Sequence, residues 1–238
     1  MGTPLTPYNT NESKKEQVAT MFNNVAGTYD FLNHFFSLGI DKLWRRKLVK
    51  LIGKTSPKVI LDVATGTADL AIAELALKPE KIIGVDISEK MLAVGKEKTK
   101  QYPAIELQLA DGENLPFNTD TFDAVSIAFG IRNFENAIVG LQEMRRVLKV
   151  GGKVFVLEFS KPNNWLIKKL YYFYFCNVLP FIGKLVSKDA RAYSYLPESV
   201  RIFPDGKKFI ELLQYAGYKN ITCKQLTFGI STIYIAEK

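Results

Sequence analysis

The segment Val59-Ile60-Leu61-Asp62-Val63-Ala64-Thr65-Gly66-Thr67-Ala68-Asp69 decides the fold. Its first five residues form a short, mostly apolar and β-branched run, which is typical of a buried parallel strand. A helix-like segment from Ala68 to Leu77 follows, after a turn that contains Gly66. Ligands of open α/β sheets bind beyond the carboxyl ends of the strands, so this turn is a candidate ligand site.

Strand-like and helix-like segments alternate along the rest of the chain. Further strand-like runs occupy 82–86, 105–109, 124–128 and 154–158, and helix-like segments occupy 89–102 and 135–148. This alternation predicts an open α/β sheet that is mostly parallel. Two last runs, 221–228 and 230–236, are separated by Gly229 alone. So short a joint permits a hairpin but no parallel crossover, so we expect one antiparallel strand at the end of the sheet.

We expect one domain over residues 1–238, because this length suits a single domain with additions. The predicted parts are a helical cap (1–57), a cofactor-binding core (58–162), a helical insertion that covers the substrate (163–206), and a terminal helix with the hairpin (207–238).

Composition excludes several classes of protein. With 47% hydrophobic and 24% charged residues, the chain is not a disordered protein. Cys176, Cys223 and the single His34 are too few for a disulfide framework or a histidine-rich metal site, so we expect no metal. No apolar run reaches the roughly 18 residues of a membrane span. Residues 1–7 lack the apolar core of a secretory signal, which favours a cytoplasmic protein.

The formal charge of +8 indicates a negatively charged partner. Nucleic acid, an anionic membrane surface and an acidic small molecule all fit this charge.

Acidic residues follow the first strands of the predicted sheet. Asp86 ends the second strand, where a carboxylate can accept hydrogen bonds from two ribose hydroxyls, and Asp111-Gly112 follows the third, where it can meet an adenine ring. The G-x-G-x-x-G fingerprint of dinucleotide sites is absent, which argues against a pyrophosphate. A cationic nucleoside without phosphate, such as S-adenosylmethionine, suits this pattern. The alternative is that these acids only cap helices.

More specific runs lie further along. They are Val25-Ala26-Gly27-Thr28-Tyr29-Asp30, Phe129-Gly130-Ile131-Arg132-Asn133-Phe134, Leu157-Glu158-Phe159-Ser160 and Tyr195-Leu196-Pro197-Glu198-Ser199. With them the chain resembles, from about Val18 to its end, the ubiquinone/menaquinone biosynthesis C-methyltransferases of class I. This family usually has glycine where Thr65 and Ala68 stand.

The resemblance implies a class I methyltransferase Rossmann-like sheet with helices on both faces. It also implies S-adenosylmethionine as cofactor and C-methylation of a prenylated quinol, most simply demethylmenaquinol, with the methoxybenzoquinol precursor of ubiquinone left open. The expected cofactor-binding residues are Asp62, Gly66, Thr67, Asp86, Asp111 and Gly112.

Methylation of an aromatic carbon sets its own requirements. Loss of a phenolic proton pushes electron density onto the ortho carbon, which then attacks the sulfonium methyl group. The site must hold two reactants, exclude water, assist one deprotonation and stabilise the phenolate with a fixed cation. Arg132, after the fourth strand, is the predicted cation, with a structural salt bridge as the alternative. Asn133 beside it is predicted to hold a ring oxygen.

The general base stays open at this stage. Tyr29 and Asp41 complete the predicted catalytic set, and the remaining candidates are Asp30, Tyr193, His34 and Asp86 acting through a water.

Two segments predict contact with a membrane surface, from which a prenylated substrate would come. Trp165 to Cys176 is rich in aromatic residues and carries lysines, and Lys42 to Lys58 holds seven basic residues and no acid. Basic amphipathic segments of this kind rest on anionic membranes, here the inner face of the cytoplasmic membrane. The alternative for each is a buried helix with a solvated basic face. A homodimer stays open.

The loop after the fourth strand distinguishes this chain from methyltransferases that act on nucleic acids. Enzymes that methylate amino groups of DNA usually resemble Asp-Pro-Pro-Tyr there, and cytosine-C5 enzymes need a nucleophilic cysteine. Phe129-Gly130-Ile131-Arg132-Asn133 has neither, so we expect no nucleic-acid partner. A methyltransferase acting on a sterol or phospholipid, and a non-catalytic cofactor-binding subunit, remain the alternatives.

Overall fold

The computed structural model describes residues 5–8, 10–37, 39–178 and 189–238. In this part of the chain, strands join one sheet in the order β3-β2-β1-β4-β5-β7-β6. The strands are β1 (Val59–Val63), β2 (Lys81–Asp86), β3 (Ile105–Leu109), β4 (Phe122–Ala128), β5 (Leu148–Phe159), β6 (Lys219–Leu226) and β7 (Ser231–Glu237).

The pairing confirms the predicted fold class. Strands β1 to β5 pair in parallel, whereas β7 lies antiparallel between β5 and β6. The last two strands are joined by a short turn at 227–229, as a hairpin requires. Strand β5 begins earlier than predicted, because Leu148 already pairs with Phe122 ahead of an irregularity in the ladder. Gly151, with φ of 78°, supplies the left-handed backbone in that stretch.

Helices cover both faces of the sheet. They are α1 (Lys14–Val25), α2 (Tyr29–Phe36), α3 (Ile40–Ile52), α4 (Asp69–Glu74), α5 (Glu89–Thr99), α6 (Ala137–Val147), α7 (Trp165–Phe173), α8 (Ala190–Ile202) and α9 (Lys207–Tyr215). Leu141 of α6 and Phe209 of α9 are buried in the core on one face, and Leu48 of α3 and Leu70 of α4 in the core on the other. Both faces are therefore closed to water, as a parallel sheet requires.

Helices outside the core of the sheet form most of the walls around the carboxyl ends of the parallel strands. The predicted cap contributes α1, α2 and α3, and the predicted insertion contributes α7 and α8. Residues 179–188 of that insertion lie outside the described residues. The division of the chain into cap, core and insertion stays a prediction.

Two carboxyl groups are buried beneath the turn after β1. Asp62 is 1% exposed and Glu74 is 0% exposed. Burial raises the pKa of Asp62 to about 7, and the negative charge of Asp86 adds to the rise, while a hydrogen bond from Thr65 opposes it. Burial and the charge of Asp62 raise the pKa of Glu74 well above its usual range, against a smaller effect of Ser126.

This pair predicts a fold that loses stability as the pH rises. The pKa of such a carboxyl is higher in the folded than in the unfolded protein. Its contribution to stability is therefore complete below the unfolded pKa, about 4, and is lost as the pH rises through the folded pKa, about 7 for Asp62. Each unit of pKa difference corresponds to about 1.4 kcal/mol. We expect the Tm to fall by several degrees between pH 5 and pH 8.

Glu74→Gln, which is neutral at every pH, should remove much of that fall and raise the Tm at pH 8. Glu97→Gln, at a carboxyl whose side chain is 73% exposed, is the matched control and should leave the profile unchanged. Thermal melts of the three proteins from pH 5 to pH 8 measure both effects. If the Tm of Glu74→Gln and the Tm of the unmodified protein changed with pH in the same way, the Asp62–Glu74 pair would be ionised in the folded protein.

Candidate functional site

A first cavity lies at the carboxyl ends of β1 to β4. The turn after β1 contributes Gly66 to its wall, and the ends of β2 and β3 contribute Asp86 and Asp111-Gly112. Helix α1 covers it with Lys15, Val18 and Phe22. The strand ends therefore meet where the topology of a parallel sheet puts them.

The turn after β1 is held in a strained shape by Asp86. The Asp86 carboxylate accepts hydrogen bonds from the backbone N–H groups of Gly66 at 2.9 Å and of Ser88 at 2.8 Å. Burial raises the pKa of Asp86, and these two N–H donors act in the opposite direction. Ala64 and Ala68 have positive φ, at 53° and 68°, a conformation that residues other than glycine rarely adopt. The usual family glycine at position 68 thus corresponds to a left-handed backbone.

Gly112 forms part of the cavity wall by close packing. A Cβ atom at this position would lie 2.5 Å from Cζ of Phe134 and 3.0 Å from Cγ1 of Val63. No larger residue fits without moving both neighbours. Beside it, Asp111 forms an ion pair with Lys15 of α1 at 2.5 Å.

The first cavity is acidic. Its wall contains four carboxylates against one lysine, and these residues are Asp86, Asp111, Glu113, Glu135 and Lys15. Such a wall repels phosphate and favours a ligand that carries hydroxyl and amino donors together with a positive charge.

The predicted cofactor residues divide into two groups. Gly66, Asp86, Asp111 and Gly112 line the cavity, whereas Asp62 and Thr67 lie outside its wall. Asp62 sits below the turn and accepts a hydrogen bond from the Thr65 hydroxyl at 2.7 Å. The Thr67 hydroxyl donates to Asp30 at 2.5 Å instead of facing the cavity. Direct cofactor contacts from these two side chains stay predictions.

A second cavity of about 270 Å³ adjoins the first. Four residues line both cavities, and together they form the boundary between them, which we call the partition. They are Phe22, Tyr29, Phe129 and Asn133. The remainder of the wall of the second cavity is mostly apolar or aromatic, with side chains that include Trp44, Phe159, Tyr171, Tyr174, Tyr195 and Leu196. A flat apolar molecule in the second cavity would therefore meet a ligand of the first across this partition.

Arg132 reaches the second cavity from the turn after β4. Its Nη1 donates to the Glu158 carboxylate at 2.9 Å and to the carbonyl of Phe129, and the two charged side chains are only 8% and 2% exposed. The predicted alternative, a structural salt bridge, is therefore present. Nε of Arg132 and Oδ1 of Asn133 are nevertheless buried without a hydrogen-bond partner among the described residues. Both residues line the cavity, and the protein leaves these two buried atoms unsatisfied.

Phe129 shapes the partition through its backbone. Its φ of 58° is an outlier for a bulky residue. Its ring packs against Phe159, with 4.6 Å between centroids, and against Trp44 at 6.0 Å. Strain of this kind persists only where the surrounding packing imposes it, and it concentrates at functional sites.

The polar side of the second cavity is a network of ion pairs. Asp41 accepts from Ser37 at 2.5 Å and lies 2.8 Å from Nδ1 of His34, and Arg45 bridges it to Asp69. Carboxylates and a histidine so close together resemble a metal site. Arg45 already supplies the positive charge there, and Lys98 pairs with Asp69 at 2.6 Å. The cluster is therefore satisfied as an ion-pair network.

The structure also ranks the candidates for the general base. Burial raises the pKa of Asp41, but the hydrogen bond from Ser37 and the charges of Arg45 and His34 outweigh it, so the net shift is downward. A carboxylate held in this way is a weak proton acceptor. Asp30 is engaged by Lys98 and Thr67, and the side chain of Tyr193 lies outside the described residues. Tyr29 is placed in the partition itself.

Sequence reasoning gave no role to two residues of this site. Glu158 holds Arg132, and Tyr195 lines the second cavity while only 2% exposed. Glu158 could have been identified from the sequence, because it is an acidic residue at the end of the otherwise apolar run of β5. The run that begins at Tyr195 carried the resemblance, but no local pattern showed that this side chain faces a cavity, because the packing of α8 decides it.

Comparison with known proteins identifies the family. The sequence profile of the ubiE/COQ5 methyltransferase family matches residues 10–238. The chain belongs to this family. It is 45% identical to a demethylmenaquinone methyltransferase of Bacteroides fragilis, over 98% of this chain and 97% of the relative. It is 46% identical to a ubiquinone/menaquinone biosynthesis C-methyltransferase, UbiE, of Geobacter sulfurreducens, over 98% of this chain and 93% of the relative.

Solved structures support the fold. A SAM-dependent methyltransferase from Aquifex aeolicus superimposes with a TM-score of 0.58 at 17% identity, over 81% of this chain and 88% of that one. As a member of the ubiE/COQ5 methyltransferase family, the chain is an enzyme that takes a methyl group from S-adenosylmethionine. The acidic first cavity, with Asp86 and Asp111 facing it and no phosphate-binding cluster in its wall, fits this cationic nucleoside.

Asp86 provides the test of where the cofactor binds. A hydrogen bond to a charged group contributes about 1.5–3 kcal/mol, so Asp86→Asn should weaken S-adenosylmethionine binding about 10- to 100-fold in calorimetry. Asp120→Asn, which precedes β4 at the opposite edge of the sheet, is the matched control and should bind like the unmodified protein. Equal affinities for all three proteins would place the ribose elsewhere.

Proposed function

We propose that this chain methylates a ring carbon of demethylmenaquinol and so produces menaquinol. The Bacteroides fragilis relative carries the corresponding name and matches the chain almost from end to end. The observation that carries the proposal is the apolar second cavity, which adjoins the first and has Arg132 and Asn133 in its wall, each with a buried polar atom that no described residue satisfies. An aromatic diol matches both properties of this cavity.

The protein contributes positioning and charge to the reaction. S-adenosylmethionine, when bound, would supply an electrophilic methyl group, and its methyl–sulfur bond would break to leave the neutral thioether S-adenosylhomocysteine. The phenolic proton would pass to solvent before the cavity closes, and the ring proton of the methylated carbon would pass to solvent as the ring regains its aromaticity. Arg132, fixed by Glu158, directs its free Nε–H at the ring oxygen and stabilises the phenolate that makes the ortho carbon nucleophilic. Asn133 and Tyr29, in the partition, orient the ring relative to the first cavity. The aromatic walls exclude water.

The assay measures transfer of labelled methyl groups to reduced demethylmenaquinone in detergent. We expect label on a ring carbon. Arg132→Lys keeps a cation next to Glu158 but removes Nε–H, so kcat should fall about 100-fold or more while affinity for S-adenosylmethionine stays the same. Arg146→Lys, at an arginine on α6 that is ion-paired with Glu143, is the matched control and should keep full activity.

A second candidate substrate is the methoxybenzoquinol precursor of ubiquinone. The name of the Geobacter sulfurreducens relative mentions both quinones, so the same assay includes this quinol. Label on the benzoquinol alone would reassign the substrate. Cofactor binding without transfer to either quinol would overturn the proposal in favour of a sterol, a phospholipid or a non-catalytic role.

We further propose that the second cavity opens toward a membrane surface at the inner face of the cytoplasmic membrane. In three elements an exposed apolar residue is the sequence neighbour of a residue that lines the cavity. These pairs are Leu43 and Trp44, Leu170 and Tyr171, and Phe228 and Thr227. Such an apolar rim is suited to a prenyl tail that stays partly in the bilayer.

Charge around this rim favours an anionic surface. On α3, Leu48 and Ile52 are buried while Lys42, Arg46 and Lys50 are exposed, so the helix is both a core element and a basic face. The positive charge of Lys224, and then those of Lys50 and Lys54, lowers the pKa of Lys47. Lys168 and Lys169 are exposed on α7, beside Leu170. No helix among the described residues is long and apolar enough to cross a bilayer.

Vesicle sedimentation tests this contact. Leu170 and Phe173 are 62% and 61% exposed, and burial of each such side chain contributes about 1.5–3 kcal/mol. The double variant Leu170→Ser/Phe173→Ser should therefore bind phosphatidylglycerol vesicles at least 10-fold more weakly. Val150→Ser, at an 84% exposed residue at the opposite edge of the sheet, is the matched control and should bind normally.

High salt should weaken the binding of all the proteins to these vesicles. If the double variant instead dissociates a dimer and leaves vesicle binding unchanged, the apolar rim is an interface between two copies of the chain.

A further inference from the structure

Tyr195 carries a buried hydroxyl in the wall of the second cavity that is unpaired among the described residues. Helix α8 carries it and packs against the turn at 131–133 that carries Arg132. The side chain is 2% exposed, and its oxygen has no hydrogen-bond partner among the described residues. Burial of an unpaired hydroxyl costs free energy, so a native structure keeps few of them, and each one calls for an explanation.

The helix around Tyr195 is firmly anchored. Asp189 caps its first turn by accepting from the backbone N–H groups of Arg191 and Ala192. Arg191 forms a double hydrogen bond with Glu198, at 2.8 and 2.9 Å, across two turns of the helix. The hydroxyl is therefore presented from a rigid element, which reduces the cost of binding a ligand.

Two unpaired donors thus line the same cavity. Nη1 of Arg132 donates hydrogen bonds to Glu158 and to the carbonyl of Phe129, whereas its Nε–H has no partner among the described residues. Burial raises the pKa of Tyr195 to about 12, so the hydroxyl keeps its proton at neutral pH. The charges of Arg132 and Arg191 act against this rise, and those of Glu158 and Glu198 act with it. The packing of α8 on the turn at 131–133 places both residues in the wall of one cavity.

We propose that Tyr195 and Arg132 form an oxyanion hole, in which the tyrosine O–H and the arginine Nε–H donate to the same ring oxygen once it is ionised. This inference rests on the proposed function, because it assigns a second donor to the phenolate of that reaction. Tyr195 keeps its own proton throughout and acts only by donating a hydrogen bond. Two fixed donors in a dry cavity stabilise a developing anion more than either does in water.

Tyr195→Phe removes only the hydroxyl. A merely structural hydroxyl would lower the Tm when it is lost, whereas removal of an unpaired one should leave the Tm unchanged or raise it. We expect kcat with demethylmenaquinol to fall about 100-fold, with little change in the affinity for S-adenosylmethionine. Tyr215→Phe, at a 73% exposed tyrosine on α9, is the matched control and should behave like the unmodified protein.

A second measurement is independent of methyl transfer. The naphtholate band of enzyme-bound 1-naphthol is titrated by absorbance in the presence of S-adenosylhomocysteine. The unmodified protein should lower the pKa of the bound naphthol, and Tyr195→Phe should raise it again by about one to two units. The control variant should leave the titration unchanged.

The outcomes separate the two proposals. If the unmodified protein methylates demethylmenaquinol and Tyr195→Phe is equally fast, or ionises bound naphthol equally well, the oxyanion hole is overturned and the proposed function stands. If the unmodified protein neither methylates a quinol nor binds naphthol, the proposed function fails and the oxyanion hole fails with it. A lowered Tm for Tyr195→Phe, with an unchanged naphthol titration, assigns the hydroxyl a structural role.

Discussion

The buried ion pair between Arg132 and Glu158 is the interaction on which the site depends. Glu158 ends a central strand, and through both the side chain and the backbone N–H of Arg132 it fixes the turn that follows the neighbouring strand. That turn carries Asn133 and follows Phe129, so the pair also sets the position of the partition between the cavities. An ion pair so deep in the protein adds little stability of its own, but loss of one partner leaves an uncompensated buried charge. Its contribution is the placement of a cation in an apolar cavity.

Apolar periodicity was enough to predict the sheet from the sequence. Strands β1 and β4 are largely buried and read as apolar runs, whereas the edge strand β3 alternates apolar and polar residues, and Gly229 alone between the last two runs indicated a hairpin. The ligand edge followed from topology, because parallel strands put Gly66, Asp86 and Asp111 at one edge whatever their separation in sequence. The first cavity was therefore largely predictable from the positions of strand ends.

The second cavity could not be predicted in the same way. Its walls come from helices before and after the sheet, and which face of each helix turns inward depends on packing that no local pattern encodes. Tyr195 and Tyr193 look alike in sequence. Asp41 looked like a base, yet Ser37, His34 and Arg45 surround it and lower its pKa. The roles of such residues depend on partners that only the folded chain brings together.

Helix α1 covers both cavities at once. Lys15 and Val18 close the first, Met21 and Val25 close the second, and Phe22 belongs to both. Helix α1 is held in this position by Lys14, whose Nζ donates hydrogen bonds to the backbone carbonyls of Arg132 at 3.2 Å and Phe134 at 2.6 Å. Because one helix closes both cavities, any free energy needed to displace it is common to the two ligands. Thermodynamic linkage makes any such coupling reciprocal, so that each ligand would change the affinity for the other by the same factor.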